Sequence, residues 1–198
     1  MPEKIYVTTP IYYVNDKPHI GHAYTSVATD FLARYHRIIG NDVRFQTGTD
    51  EHGLKIQKAA EKEDIKPIEL CDKNSAKFRE LSKILNISNN DFIRTTEDRH
   101  IMGAQFLWNK LCENDQIYLD EYTGWYSVSD ETFYNEKDLI KDENGNFKTS
   151  TGGSVEWISE KSYFFKLSNW SDKLLEYYKN NPDFIMPASK RKEVISFV

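Results

Sequence analysis

Between Lys4 and Thr47 the hydrophobic period changes twice, and that change limits the fold more than any other feature of the chain. KIYVTT, residues 4 to 9, is short, β-branched and aromatic and stops at Pro10, as a buried strand entering a loop does. From about Ala23 to Ile39 the apolar residues Val27, Phe31, Tyr35 and Ile38 recur every three or four positions, which predicts a helix capped by Gly40. DVRFQT, residues 42 to 47, reads as the next strand. Strand, loop, helix and strand within about 45 residues make a βαβ unit, hence a parallel sheet with a right-handed crossover.

Helical periodicity continues through 53 to 63 and 67 to 85, with Phe78, Leu81 and Leu85 on the second stretch, and DFIRT at 91 to 95 reads as a short strand. Ile101, Ala104, Trp108 and Leu111 mark a further helix. From Ile117 to Tyr134 the chain turns to Tyr, Trp, Val and Thr with polar breaks, and Glu143-Asn144-Gly145 and Gly152-Gly153 are turn signals. A β-rich region closed by a helix carrying Trp170, Leu174, Tyr177 and Tyr178 follows, so the expected division is 1–115 and 116–198.

At 39% hydrophobic residues and 14% aromatic residues the 198-residue chain is too apolar for disorder, and no run reaches the roughly 18 apolar residues of a membrane span. The opening MPEKIYVTTP has no basic stretch followed by an apolar one, which is what a cytoplasmic protein is expected to show. Cys71 and Cys112 stand singly in helical stretches and are expected to be core thiols, and the N-x-S matches at Asn86 and Asn169 carry no weight in that compartment. A net charge of −5 does not announce a nucleic-acid binder, yet a local basic face on an acidic protein can still hold phosphates.

Chemistry-bearing residues concentrate in KPHIGHAY (17–24), after the first strand, and TGTDEHG (47–53), off the next one. In an open α/β sheet ligands bind at the carboxyl ends of strands, beside a helix N-terminus, so both segments are expected to face one crevice. Pro10 and Pro18 stiffen the first segment, Gly21 admits a base or ribose close to the backbone, and His19 and His22 share a helix face from which they can donate to a phosphate. Asp50 suits a substrate ammonium. Competing readings stand beside these: His19 and His22 with Asp50 and His52 as a metal site, Glu51 as a solvated carboxylate, and Ile11 and Tyr13 as plain packing. No GxGxxG fingerprint is present, which counts against a dinucleotide enzyme.

With PIYYVNDKPHIGHAYT followed by FQTGTDEHG, the chain resembles the class I aminoacyl-tRNA synthetases and, among them, the methionyl-tRNA synthetase family, His19-Ile20-Gly21-His22 standing as the H-I-G-H motif. The likeness runs on through DFIRTTEDRH, IYLDEYTGWYSVSDETFY, EKSYFFKLSNW and FIMPASKRKEV. It implies a Rossmann-type α/β catalytic domain, incomplete over this span, with a β-rich connective insertion that helps place the tRNA acceptor end. It implies activation of methionine with ATP and Mg²⁺ and transfer to tRNA(Met). His19, Gly21 and His22 would bind ATP, the two histidines stabilising the α-phosphate, while Ile11, Tyr13 and Asp50 would bind methionine. Many members carry C-x-x-C zinc knuckles in the insertion; with Ser127 and Ser129 in WYSVSDE, no zinc is expected here. The family's K-M-S-K-S loop, the rest of its sheet and its anticodon-binding domain are not found in these residues, so the chain is expected to be an N-terminal portion, nearly inactive alone. ASKRK at 188–192 is expected to be a solvated basic turn rather than that loop. No membrane or DNA partner is expected. A nucleotidyltransferase with an H-x-G-H loop and a non-catalytic tRNA-binding fragment are the alternatives.

Overall fold

The computed structural model describes residues 2–127, 129–130, 132–142 and 145–198, and the chain divides into two compact units, one ending at Phe106 and one formed by Leu107–Val198. The first unit contains, in order, β1 (Lys4–Thr8), β2 (Tyr12–Tyr13), α1 (Ile20–Ile38), β3 (Asp42–Asp50), α2 (Leu54–Lys62), α3 (Pro67–Ile84) and β4 (Asp91–Arg94). All four strands are parallel. β1 pairs with β3 from Lys4 opposite Asp42 to Thr8 opposite Gln46, and β2 pairs further along it, Tyr12 opposite Thr49 and Tyr13 opposite Asp50. β4 spans Gln46 to Thr49 of β3 and overlaps both other pairings. β1 and β2 therefore share one edge of β3, interrupted at Pro10, and β4 takes the other edge. The βαβ unit is present.

Two apolar clusters hold the sheet. Tyr12, Val14, Ile56, Ala60, Leu70, Cys71, Phe78 and Phe92 pack together with α2 and α3, while Ala33, Val43 and Phe45 form a smaller cluster with Ile5, Val7 and Ile87. Gly48 is where β3 and β4 approach most closely: a Cβ there would stand 2.1 Å from the Ile93 carbonyl oxygen. Only glycine fits that crossing.

Three expectations are corrected here. β1 is half exposed rather than buried, because only β3 pairs with it among the described strands and only Ile5 and Val7 reach the core. α1 starts at Ile20, three residues before Ala23, because His19 caps it. Its periodic residues Val27, Phe31, Tyr35 and Ile38 do not face this core: Phe31 is 69% and Ile38 84% exposed. The buried face is instead Ser26, Thr29, Asp30 and Ala33. Asp30 accepts from the Ser88 backbone N–H (2.7 Å) and hydroxyl (2.5 Å) and from Arg34 (2.6 Å), so the helix clasps the loop before β4 through polar groups. Gly40 follows α1 at φ +91°, a left-handed conformation that glycine adopts without strain.

The unit boundary falls within α4 (Asp98–Glu113). In the second unit β5 (Ile117–Ser127) pairs antiparallel along its whole length with β9 (Val155–Phe165), and β6 (Thr132–Tyr134) lies on the other edge of β5. β7 (Ile140–Lys141) and β8 (Phe147–Lys148) form a small hairpin, and α5 (Ser171–Asn180) and α6 (Ala188–Phe197) follow. The β-rich character is as expected, although β9 is a strand the sequence pattern does not single out. Trp170 ends a 3₁₀ turn just before α5. Of the turn at 143–145 only Gly145 is among the described residues; Glu143 and Asn144 lie outside them. ASKRK is helical, opening α6 with its side chains largely in solvent, and Cys112 is exposed rather than a core thiol. Cys71 is buried, and burial pushes its thiol up to about 11. Among the described residues no helix is long and apolar enough to cross a membrane.

Candidate active site

Thr9 leaves β1 with its N–H on Gln46 O (3.2 Å) and its hydroxyl 2.7 Å from that of Thr47. The chain breaks at Pro10 and returns as β2, where alternation puts Tyr12 inward, 8% exposed, and Tyr13 outward, 49% exposed. The Tyr12 hydroxyl lies 2.9 Å from Ser26 Oγ on α1, tying strand to helix.

His19 is the N-cap of α1, with extended backbone (φ −131°, ψ 177°) following Pro18. Its Nδ1 accepts the Gly21 N–H at 3.1 Å, and the Nδ1 of His22 accepts the N–H of His19 at 3.1 Å. Two histidines thus form a reciprocal capping box, satisfying backbone donors that the first turn leaves unpaired. The rings lie 3.8 Å apart between centroids. With both Nδ1 atoms accepting, each neutral ring carries its proton on Nε2, which remains the side-chain donor. Gly21 has a structural reason of its own: a Cβ would stand 2.9 Å from Cε1 of His19 and push the capping ring aside.

The His22 ring is held edge-on against Tyr12 (4.8 Å) and Phe78 (5.0 Å). Burial among these rings, with the neighbouring His19 as second cause, lowers its pKa below the ordinary 6.5. Neutral His22 is the form present at pH 7.

Ile11, Tyr13, Lys17, His19 and His22 line one cavity of about 550 Å³. Asp50 is not in its lining; register sets it opposite Tyr13, at the end of β3. The expectation that Glu51 is a solvated carboxylate is wrong. Its side chain is 0% exposed and accepts from Thr49 (2.6 Å), Arg94 (2.8 Å) and Thr96 (2.6 Å). Burial would raise its pKa, but these bonds and the guanidinium charge hold it below the usual carboxylate range. Among the described residues no group of three or more His, Cys, Asp or Glu side chains is gathered as a metal ion would require, and His52 turns Nε2 to the Thr95 carbonyl (3.3 Å).

Residues 5–198 match the family of tRNA synthetases class I (M). The chain belongs to this family. As a class I tRNA synthetase sequence it is 56% identical over 198 residues, all of its length, to the methionine–tRNA ligase of Rickettsia bellii, of which it covers 38%. It is 54% identical over 196 residues to that of Mesorhizobium japonicum, covering 99% of this chain and 38% of the relative. A solved structure of Mycobacterium tuberculosis methionyl-tRNA synthetase in complex with methionyl-adenylate aligns with TM-score 0.91 and 47% identity over 98% of this chain and 38% of that one. The chain therefore spans less than two fifths of the length of these relatives.

Three features of this candidate site were missed from sequence. Tyr12 could have been found, since two adjacent tyrosines on a strand must point to opposite faces. Phe78 lay on a recognised helical period, but nothing local tied it to His22. The Glu51–Arg94 pair joins residues 43 positions apart and has no local signal.

Proposed function

We propose that this span forms the nucleotide and methionine half of an activation site which, in a chain of the relatives' length, converts methionine and ATP to methionyl-adenylate with release of pyrophosphate, and then transfers the methionyl group to the 3′ end of tRNA(Met). The observation that carries this is the interlocked histidine cap: two imidazoles on a helix N-terminus, each with Nδ1 taken by the cap and Nε2–H left to donate, lining a cavity beside the carboxyl end of a parallel strand. Such donors stabilise charge that develops on an α-phosphate without accepting a proton, a role in positioning and electrostatics. In this reading Gly21 lets the adenine moiety approach the backbone, Ile11 and Tyr13 line the methionine pocket, and Asp50 receives the α-ammonium group. An uncharged thioether offers few handles, so that pocket selects largely by shape.

Mg²⁺ enters with ATP as part of the substrate, and no step is assigned through it. The insertion is read as zinc-free, because Ser127, Ser129 and Asp130 already satisfy one another: Ser127 Oγ lies 3.0 Å from Ser129 Oγ and donates to Asp130 at 3.0 Å. The long β5–β9 ribbon is the part read as helping to place the acceptor end of tRNA.

The test is methionine-dependent ATP–pyrophosphate exchange in a chain of the relatives' length carrying this span. His22→Ala should lower kcat about 100-fold while KM for methionine stays within about threefold. An equal loss in both would contradict the phosphate role.

A further inference from the structure

We infer that the buried Glu51–Arg94 pair is a positioning device for Asp50, fixing the carboxylate read above as the receiver of the methionine ammonium. The inference rests on that reading of Asp50. Thr49 and Glu51 turn inward, Thr49 fully buried and the Glu51 side chain 0% exposed, so Asp50 between them must point to the opposite face, the one it shares with Tyr13. Both flanks are pinned. Thr49 O accepts the Thr95 N–H (3.2 Å), the Glu51 N–H donates to Thr95 Oγ1 (2.9 Å), and the Glu51 carbonyl accepts the Cys71 thiol (3.6 Å). The carboxylate of Glu51 holds Thr49, Thr96 and Arg94 at 2.6, 2.6 and 2.8 Å.

Arg94 is itself clamped, with Nη2 2.6 Å from Asp72 on α3. Its strand partner is Thr49, so its guanidinium lies on the inner face, directed away from Asp50. Two effects follow. The backbone on both sides of Asp50 is held by hydrogen bonds, which leaves chiefly its own side-chain torsions to set the carboxylate. The nearby cation is occupied by two carboxylates and does not compete with an incoming ammonium. A binding group held by neighbours that are themselves immobilised keeps its geometry without reorganisation when substrate arrives.

Steady-state exchange kinetics in a chain of the relatives' length test this. Glu51→Gln keeps the volume and removes the charge; it should raise KM for methionine about tenfold, with kcat and KM for ATP within about threefold. Arg94→Met should act in the same direction, and if it fails to fold the glutamine variant alone decides. Asp30→Asn, on the inner face of α1, is the control for lost stability: unfolding removes active molecules and lowers apparent kcat without moving KM. An unchanged KM for methionine in Glu51→Gln, or the same rise in Asp30→Asn, overturns the proposal. Asp50→Asn separates the two layers. If it raises KM for methionine while Glu51→Gln does not, only the pin fails; if it leaves KM unchanged, the assignment of Asp50 fails and the pin with it.

Discussion

His22 shows what one side chain does when it serves both a helix cap and the donor role proposed above. Its Nδ1 accepts a backbone N–H and its ring is shielded by Tyr12 and Phe78, so protonation would break the cap and charge a partly buried ring. The folded pKa lies below the ordinary 6.5 of the unfolded chain, burial being the first cause and His19 the second. As pH falls, the unfolded chain takes up its proton first. The contribution of His22 to stability is therefore complete above that value and is lost as pH drops through the folded pKa. We expect the difference in melting temperature between the wild-type chain and His22→Phe to narrow from about pH 7 to about pH 5, and the imidazole resonance of His22 to titrate below 6.5. A pH-independent gap would mean that the ring is not buried neutral.

At the scale of the element, α1 reverses the usual logic of an amphipathic helix. Its apolar stripe is exposed in this unit and its packed face is Ser26, Thr29, Asp30 and Ala33, because Asp30 is wanted as the acceptor for Ser88 and Arg34. Arg37 adds bonds to Ser88 (2.5 Å) and Asn90 (2.8 Å), and Asn90 in turn accepts the Phe45 N–H (2.8 Å), so the helix is latched to the β3–β4 side of the sheet. Removing the acceptor leaves several donors without a partner. Asp30→Ala should cost about 2 to 3 kcal/mol of stability in denaturant unfolding, whereas Phe31→Ala in the same 198-residue chain should change it by less than about 0.5 kcal/mol. A larger loss from Phe31→Ala would mean that the stripe is covered in solution.

At the scale of the whole molecule, the balance of charge around the cavity decides what this span can do alone. Among the described residues lining it, the one lysine or arginine is Lys17, with Asp16 beside it, and the two histidines are read as Nε2–H donors. A triphosphate in a transition state for nucleotidyl transfer calls for more positive charge than that. The 198-residue chain is accordingly expected to show pyrophosphate exchange at background; robust turnover would show that this half-site suffices. Local spacing encodes the βαβ unit, because periods of two and 3.6 follow from backbone geometry, and it places Ile11, Tyr13, His19 and His22 after the first strand, which brings all four to one cavity. Contacts between residues far apart in the chain arise only once the fold has assembled. These are the polar inner face of α1 latched to residues 51 to 58 positions away, the burial of Glu51 under Arg94, and Phe78 against His22. Burial depends on which partner arrives, and a residue type alone does not name its partner.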